Sequence, residues 1–179
     1  ALNLIQKITQ VKWILIFKVL GQSCGKRRQQ PQIEQYLRTD VGQPSRDIAA
    51  PTPAGDTLSL RQAVEDPANK CVLVDFWASW CPPCRAEIPN LVTAYKEFHS
   101  KGFEIYAVSL DKNRKAWLDG IKMFKMDWPQ VGTLKFWESA AAETYGVRSI
   151  PSNVLIGPDG TILARNLMGS ALLQKLGEL

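Results

Sequence analysis

The stretch CVLVDFWASWCPPC, residues 71–84, decides the fold. It opens with a near-continuous apolar run, interrupted only by Asp75, and this is typical of a strand buried on both faces of a sheet. Apolar residues then recur at helical spacing on one face of residues 83–100. The sequence therefore predicts a buried strand that leads through a short loop into a helix, with Cys81 and Cys84 at the junction.

Strands and helices alternate on either side of this stretch. A hairpin is predicted at residues 48–60, around the turn-forming residues Pro53 to Asp56. Downstream, the patterns predict strands at 103–110, 153–156 and 161–164, and helices at 116–125, 138–145 and 172–179. This order is typical of an α/β fold with a central mixed β-sheet flanked by helices, here with an N-terminal hairpin and a helical insertion.

The basic charge of the chain is concentrated near its N-terminus. The formal net charge is +5, from 22 Lys and Arg against 17 Asp and Glu. Residues 1–46 contain eight of the basic and two of the acidic residues, so residues 47–179 contain 14 and 15 and sum to −1. The globular part is nearly neutral, and we therefore expect no nucleic-acid partner.

Residues 1–40 form a basic N-terminal segment with two interpretations. Lys7 and Lys12, the apolar residues 13–17 and the sequence LGQSC at 20–24 resemble a signal peptide that ends at a lipoprotein cysteine, Cys24. That interpretation predicts a lipid anchor and a periplasmic or other extracytoplasmic location in a bacterium. The alternative is an amphipathic helix or the tail of an upstream domain. Residues 26–32 have the composition of a polar linker.

A Cys-x-x-Cys pair where a strand meets a helix is typical of redox chemistry. The unpaired N–H groups and the dipole at the helix N-terminus favour a thiolate at the first sulfur. We predict that Cys81 is the exposed nucleophile and that Cys84, one turn later and more buried, resolves the mixed disulfide. The alternatives are half of a zinc site and a static disulfide, but neither Cys24 nor Cys71 belongs to a second such pair. We expect no metal and no cofactor.

Two separated motifs carry a family resemblance. VDFWASWCPPCR, residues 74–85, resembles the active-site signature of thioredoxin, and YGVRSIPS, residues 145–152, resembles its second signature. CRAEIP, residues 84–89, and the GPDG turn at 157–160 are more similar to the TlpA/ResA-like family, whose exported bacterial members reduce or exchange disulfides outside the cytoplasm.

The resemblance covers about residues 41–179 and implies a thioredoxin-like domain there. It implies a thiol–disulfide oxidoreductase that exchanges disulfides of extracytoplasmic proteins through Cys81 and Cys84. The expected direction is reduction of the substrate disulfide. The implied partners are protein disulfide or dithiol substrates and an upstream redox donor. We expect a monomer.

The resemblance also implies roles for individual residues. Asp75 matches a buried acid that transfers the proton of the resolving cysteine, although a strand position that faces water is the alternative. Pro151 matches a cis-proline that faces the cysteine pair and turns the Ile150 backbone toward an extended peptide. Substrate contacts are expected from an apolar rim at the motif itself, formed by Trp80, Pro82 and Pro83.

Three other functions use the same fold or motif. A peroxidase of the peroxiredoxin type needs a proline and a threonine where this chain has Val74 and Ala78. A non-enzymatic metal carrier or docking module is the second. Copper chaperones on this fold have a wider cysteine spacing and a histidine, whereas His99, the single histidine, lies about four helical turns on and is expected at a helix end. A scaffold with a disulfide but no nucleophile is the third.

Overall fold

The computed structural model describes residues 36–179, whose centre is a five-stranded sheet. The strands are β1 (Ala49–Pro51), β2 (Thr57–Ser59), β3 (Cys71–Trp77), β4 (Phe103–Ser109), β5 (Gln130–Gly132), β6 (Ser152–Ile156) and β7 (Ile162–Arg165). The sheet order is β5-β4-β3-β6-β7, with β3, β4 and β5 parallel and with β6 and β7 each antiparallel to its preceding neighbour in the sheet. The predicted mixed sheet is confirmed, and β1 and β2 form the predicted hairpin.

Five α-helices accompany the strands in the described part of the chain. They are α1 (Leu60–Glu65), α2 (Pro82–Phe98), α3 (Arg114–Phe124), α4 (Ala140–Thr144) and α5 (Ser170–Gly177), with 3-10 turns at His99–Lys101 and Phe136–Glu138. Helix α2 contacts β4 and α5. Helices α3 and α4 lie in the chain between β4 and β6 and form the predicted helical insertion.

Two short elements were not predicted from the sequence. Helix α1 has only six residues, and it begins with a capping box in which Ser59 and Gln62 exchange side-chain and backbone hydrogen bonds. Strand β5 has three residues, including Gly132, and pairs only with β4 at the edge of the sheet. Neither is long enough to display a hydrophobic period.

Strand β3 is buried along its whole length, and its register fixes which way Asp75 points. Val74 pairs with Tyr106 of β4, and the Tyr106 hydroxyl lies 3.2 Å and 2.9 Å from carbonyl oxygens of the hairpin region, those of Ile48 and Leu58. Successive side chains of a strand alternate between faces. Asp75 therefore points to the face opposite the hairpin.

The beginning of the described chain is joined to β7. The N–H of Gly42 donates to Ile162 at 2.8 Å, and the N–H of Ser45 donates to Gly160 at 2.8 Å. Within residues 36–179 no helix is both long and apolar enough to cross a membrane. The predicted lipoprotein cysteine, Cys24, and the predicted linker lie outside the described residues.

Candidate active site

Cys81 is the N-cap residue of α2. Its Sγ accepts a hydrogen bond of 3.2 Å from the N–H of Cys84, and the two cysteines form a disulfide with their Cα atoms 5.3 Å apart. Pro82 and Pro83 occupy the first two helical positions, where neither has an N–H to donate. Cys84 therefore supplies the first N–H of the helix that can reach the sulfur.

The prediction that Cys81 is exposed is wrong for this disulfide form. Cys81 is 3% exposed and Cys84 is 2% exposed, so accessibility does not distinguish them. The physical reason is that the segment opposite covers the Cys81 sulfur, which lies 3.7 Å from the carbonyl oxygen of Ile150.

The segment opposite the disulfide contains the predicted cis-proline. The peptide bond between Ile150 and Pro151 is cis, and both residues are partly buried. Pro82 and Pro83 are exposed beside the disulfide. Ile150, Pro151, Pro82 and Pro83, which the sequence indicated as site residues, therefore lie around the cysteine pair. Trp80, the remaining residue expected to contact substrate, directly precedes Cys81 and is 45% exposed.

Asp75 is buried on the α2 side of the sheet. It is 2% exposed, so the alternative that it faces water is wrong. Burial, followed by the negative charge of Glu87, raises the pKa of the Asp75 carboxyl from 3.8 to about 7. Glu87 follows Cys84 by three residues, which places the two on one face of α2. Asp75, Glu87 and Cys84 therefore belong to one side of the sheet.

Glu87 is held by the last part of the chain, a connection that sequence reasoning missed. Its carboxylate accepts from the Gly169 N–H at 2.7 Å and from the Asn90 amide at 2.9 Å. The neighbouring Leu167 is fixed by the Asn153 side chain, which donates to its carbonyl at 2.7 Å and accepts from its N–H at 2.8 Å. The sequence did contain signals for Glu87 itself, its place in the CRAEIP motif and its spacing from Cys84 on a helix, but none for its contact with Gly169.

A second missed residue, Asp111, holds the loop that precedes the motif. Its carboxylate accepts from the Ser79 N–H at 3.1 Å, from the Ser79 hydroxyl at 2.7 Å and from the Ser109 hydroxyl at 2.8 Å. Ser79 and Asp111 each lie two residues beyond the end of a parallel strand, β3 and β4. Because the carboxyl ends of neighbouring parallel strands meet at one edge of a sheet, these positions in the sequence could have indicated that Ser79 and Asp111 lie close together.

Cys71, the remaining cysteine of residues 36–179, and the histidine His99 lie apart from this chemistry. Cys71 is buried, and burial raises the pKa of its thiol to about 11, as expected of an unreactive core cysteine. His99 follows α2, stacks on Tyr95 with ring centroids 4.4 Å apart, and has Nδ1 3.0 Å from the Phe103 carbonyl. It occupies the predicted helix-end position. Between residues 36 and 179 no three His, Cys, Asp or Glu side chains are grouped to hold a metal ion.

The sheet order, the disulfide at the start of α2 and the cis-proline opposite it define a thioredoxin-fold protein with a redox-active cysteine pair. A sequence profile of the family described as thioredoxin-like matches residues 69–162, more than half of the 179 residues. The chain belongs to the thioredoxin-like family.

Relatives of known function and known structure agree with this assignment. The chain is 32% identical over 108 residues to the thiol-disulfide oxidoreductase ResA of Bacillus subtilis, covering 60% of this chain and 59% of that protein. It is 26% identical over 165 residues to the ResA protein of Bacillus cereus, covering 92% of this chain and 91% of that protein.

Solved structures of similar proteins have the same fold. The thioredoxin domain of a thiol-disulfide oxidoreductase from Bacteroides vulgatus superposes with a TM-score of 0.71 at 33% identity, covering 78% of this chain and 96% of that chain. A thiol-disulfide oxidoreductase from Bacteroides fragilis gives 0.70 at 35%, covering 76% and 98%. The chain is thus a thiol–disulfide oxidoreductase, with Cys81 and Cys84 as its redox couple.

Proposed function

We propose that the chain reduces disulfide bonds of proteins outside the cytoplasm, with Cys81 as nucleophile and Cys84 as resolving cysteine. The observation that carries the proposal is the position of Cys81 at the N-terminus of α2, where its sulfur accepts the Cys84 N–H. A negative sulfur is stabilised at this end of a helix. Cys84 lies one turn inside the helix, next to the sulfur it must attack.

The reaction has two exchange steps. The Cys81 thiolate attacks a substrate disulfide, forms a mixed disulfide with one substrate sulfur, and releases the other as a thiolate that takes a proton from water. Cys84 then loses its proton and attacks the Cys81 sulfur. This step forms the Cys81–Cys84 disulfide and releases the second substrate thiolate. Two electrons pass from the cysteine pair to the substrate, and an upstream dithiol donor restores the pair.

Asp75 is proposed as the base that accepts the proton of Cys84. Its raised pKa, about 7, allows the carboxyl to gain and lose a proton near neutral pH. Glu87, which is partly exposed, acts on Asp75 through its negative charge, which helps to keep the pKa of Asp75 raised. Asp75 is a catalytic residue in this scheme because it exchanges the proton of a reacting thiol.

The substrate binds against the rim around Cys81. Ile150 and Pro151 present backbone to an extended peptide, which pairs with it as a strand would. Trp80, Pro82 and Pro83 supply the exposed apolar contacts beside the sulfur. The resemblance of residues 7–24 to a lipoprotein signal supports an extracytoplasmic location, with Cys24 as the anchoring residue. The scheme needs one copy of the chain, and the monomer is the proposed working form.

Insulin reduction tests the nucleophile. With dithiothreitol as donor, we expect the wild-type chain to precipitate insulin and Cys81→Ser to lose essentially all of the catalysed rate. Equal rates for the two proteins would contradict the proposal. Cys84→Ser is the matched control, since it keeps the nucleophile and stops the reaction after the first step, before the mixed disulfide is resolved. Incubated with a disulfide-containing protein, it should accumulate a mixed disulfide that dithiothreitol releases, whereas Cys81→Ser should accumulate none.

A further inference from the structure

A row of aromatic side chains begins beside the redox pair. Trp80, directly before Cys81, has its ring centroid 5.2 Å from that of Phe136, and Phe136 lies 5.7 Å from Trp137. Trp80 is 45% exposed and Trp137 is 36% exposed. Trp80, Phe136 and Trp137 are called the aromatic row below. Exposed aromatic side chains in contact with one another are typical of protein-binding surfaces.

Lysines flank the row. Its far end borders a surface recess of about 390 Å³, lined by Lys112, Leu134, Lys135 and Glu138 together with Phe136 and Trp137. The Nζ of Lys112 lies 4.5 Å from the centroid of the Phe136 ring, a cation–π contact that holds the charge against the row. With two cations and one carboxylate, the recess has a net positive charge.

The backbone that presents the row is strained. Leu134 and Phe136 have φ angles of 59° and 57°, in the left-handed region that bulky side chains occupy only at a steric cost. This conformation sets the Phe136 ring between Trp80 and Lys112. Strained backbone of this kind occurs preferentially at functional sites. Leu134 packs against the hydrophobic core, whereas Phe136 is placed by the same backbone in contact with the exposed Trp80 and Trp137.

We propose that the aromatic row and its lysines select substrate proteins with an apolar residue and a carboxylate close to the target disulfide. This inference rests on the proposed function, because the segment that docks is the one whose sulfur Cys81 attacks. The ring-to-ring distances along the row correspond to roughly three residues of extended chain. Lys112 lies against Phe136, the middle ring of the row, so the carboxylate that Lys112 and Lys135 bind lies within about three residues of the target cysteine.

Paired peptides with an internal disulfide test the selection. The two peptides differ at one position, three residues from the target cysteine, which is Asp in one peptide and Lys in the other. Both have a Phe between this position and the cysteine. We expect wild-type kcat/KM to favour the Asp peptide by about tenfold at low salt, and the preference to shrink at 0.5 M NaCl because exposed charges are screened. We expect Lys112→Glu to abolish or reverse the ratio, Lys135→Glu to lower it, and Glu138→Lys to raise it.

The chain offers a closely matched control for Lys112. The Nζ of Lys101 also lies 4.5 Å from an aromatic ring, that of Phe98, but at the opposite end of β4 from the redox pair. Lys101→Glu makes the same charge change and breaks the same type of contact. We expect it to keep the wild-type ratio of the two kcat/KM values.

Three results would overturn the inference. The first is equal kcat/KM for the two peptides with the wild-type chain. The second is a ratio of the two kcat/KM values that is unchanged in both Lys112→Glu and Lys135→Glu. In either case the proposed function stands, as long as the peptides are still reduced. The third is a wild-type dimer, measured by light scattering, that Trp137→Glu dissociates, because the row would then join two copies. Reduction of neither peptide by the wild-type chain would instead overturn the proposed function, and this inference with it.

Discussion

Asp75 is a carboxyl group inside an apolar strand, and its ionisation opposes folding. The pKa of Asp75 is about 7 in the folded chain against 3.8 for the ordinary group. Below pH 4 both states are protonated. Between pH 4 and 7 the unfolded chain loses this proton first, so stability falls as the pH rises, and the full cost is present above pH 7.

Replacing Asp75 with Asn removes this cost. We expect Asp75→Asn to raise the free energy of unfolding of the oxidised protein by about 4 kcal/mol at pH 8 and to change it little at pH 3.5, since the pKa shift from 3.8 to about 7 corresponds to about 1.36 kcal/mol per unit. Urea unfolding at the two pH values is the measurement. Glu87→Gln is the control: it removes the charge that helps to raise the Asp75 pKa and should flatten the pH dependence. A gain of the same size at both pH values would show that packing, not ionisation, is responsible.

The residues of the site were predictable where they lie in the motifs. Cys81, Cys84 and Asp75 fall within one continuous stretch, and Pro151 falls within the second motif. Glu87 and Asp111 act through contacts with residues 82 and 32 positions away, Gly169 and Ser79. Such contacts are made by the tertiary fold, and no local pattern encodes them. The same holds for the burial of Cys81, which depends on the distant Ile150.

At the scale of the element, the start of α2 controls the redox balance. Pro83 occupies the second helical position, whose N–H would otherwise be able to reach an N-cap side chain. We expect Pro83→Ala to supply that N–H to the Cys81 thiolate, stabilise the dithiol form, and shift the midpoint potential by about 20 to 40 mV toward a more oxidising value. Equilibration of the wild-type and variant pairs with glutathione buffers measures the potentials.

The control for this prediction is Pro89→Ala, because Pro89 is inside α2 but far from its first turn. This variant should change the midpoint potential by no more than about a few millivolts, because helix-end effects act only within the first turn. A potential for Pro83→Ala that is equal to or more reducing than wild type would contradict the account of the helix start.

Elements of the fold differ in how strongly the sequence specifies them. Strand β3 is a run of seven buried residues, and Gly102, with φ of 104°, ends the 3-10 turn after α2, two residues beyond the helical pattern found at residues 83–100. By contrast, α1 depends on the Ser59 capping box, and β5 depends on the presence of β4 beside it. Short elements take their conformation from neighbours and caps, and their periodicity is too brief to read.

At the scale of the whole molecule, Arg165 joins the beginning of the described chain to its last strand. Its guanidinium donates to the carbonyl and the hydroxyl of Thr39 and to the carbonyl of Tyr145, and it lies 4.4 Å from the Tyr36 ring centroid. A planar guanidinium can serve these acceptors at once, whereas an ammonium group cannot.

We expect Arg165→Met to lower the free energy of unfolding by about 2 to 3 kcal/mol, since hydrogen bonds from a charged donor are lost and their acceptors are left partly buried. Arg165→Lys should recover only part of the loss. Urea unfolding gives the stability, and amide exchange at Gly42 and Ser45, which donate to Ile162 and Gly160, locates the effect. A lower stability with unchanged exchange at these two amides would place the role of Arg165 elsewhere.

The hydrogen bond from the Gly169 N–H to Glu87 connects helix α5 to the electrostatic environment of Asp75 and the redox pair. Gly169 is the N-cap of α5, the final helix, so a truncation or a fused tag that disturbs this helix also loosens Glu87. The proton affinity of Asp75 would shift in response. In enzymological work, a protein with a purification handle close to α5 must therefore be compared with one from which the handle has been cleaved.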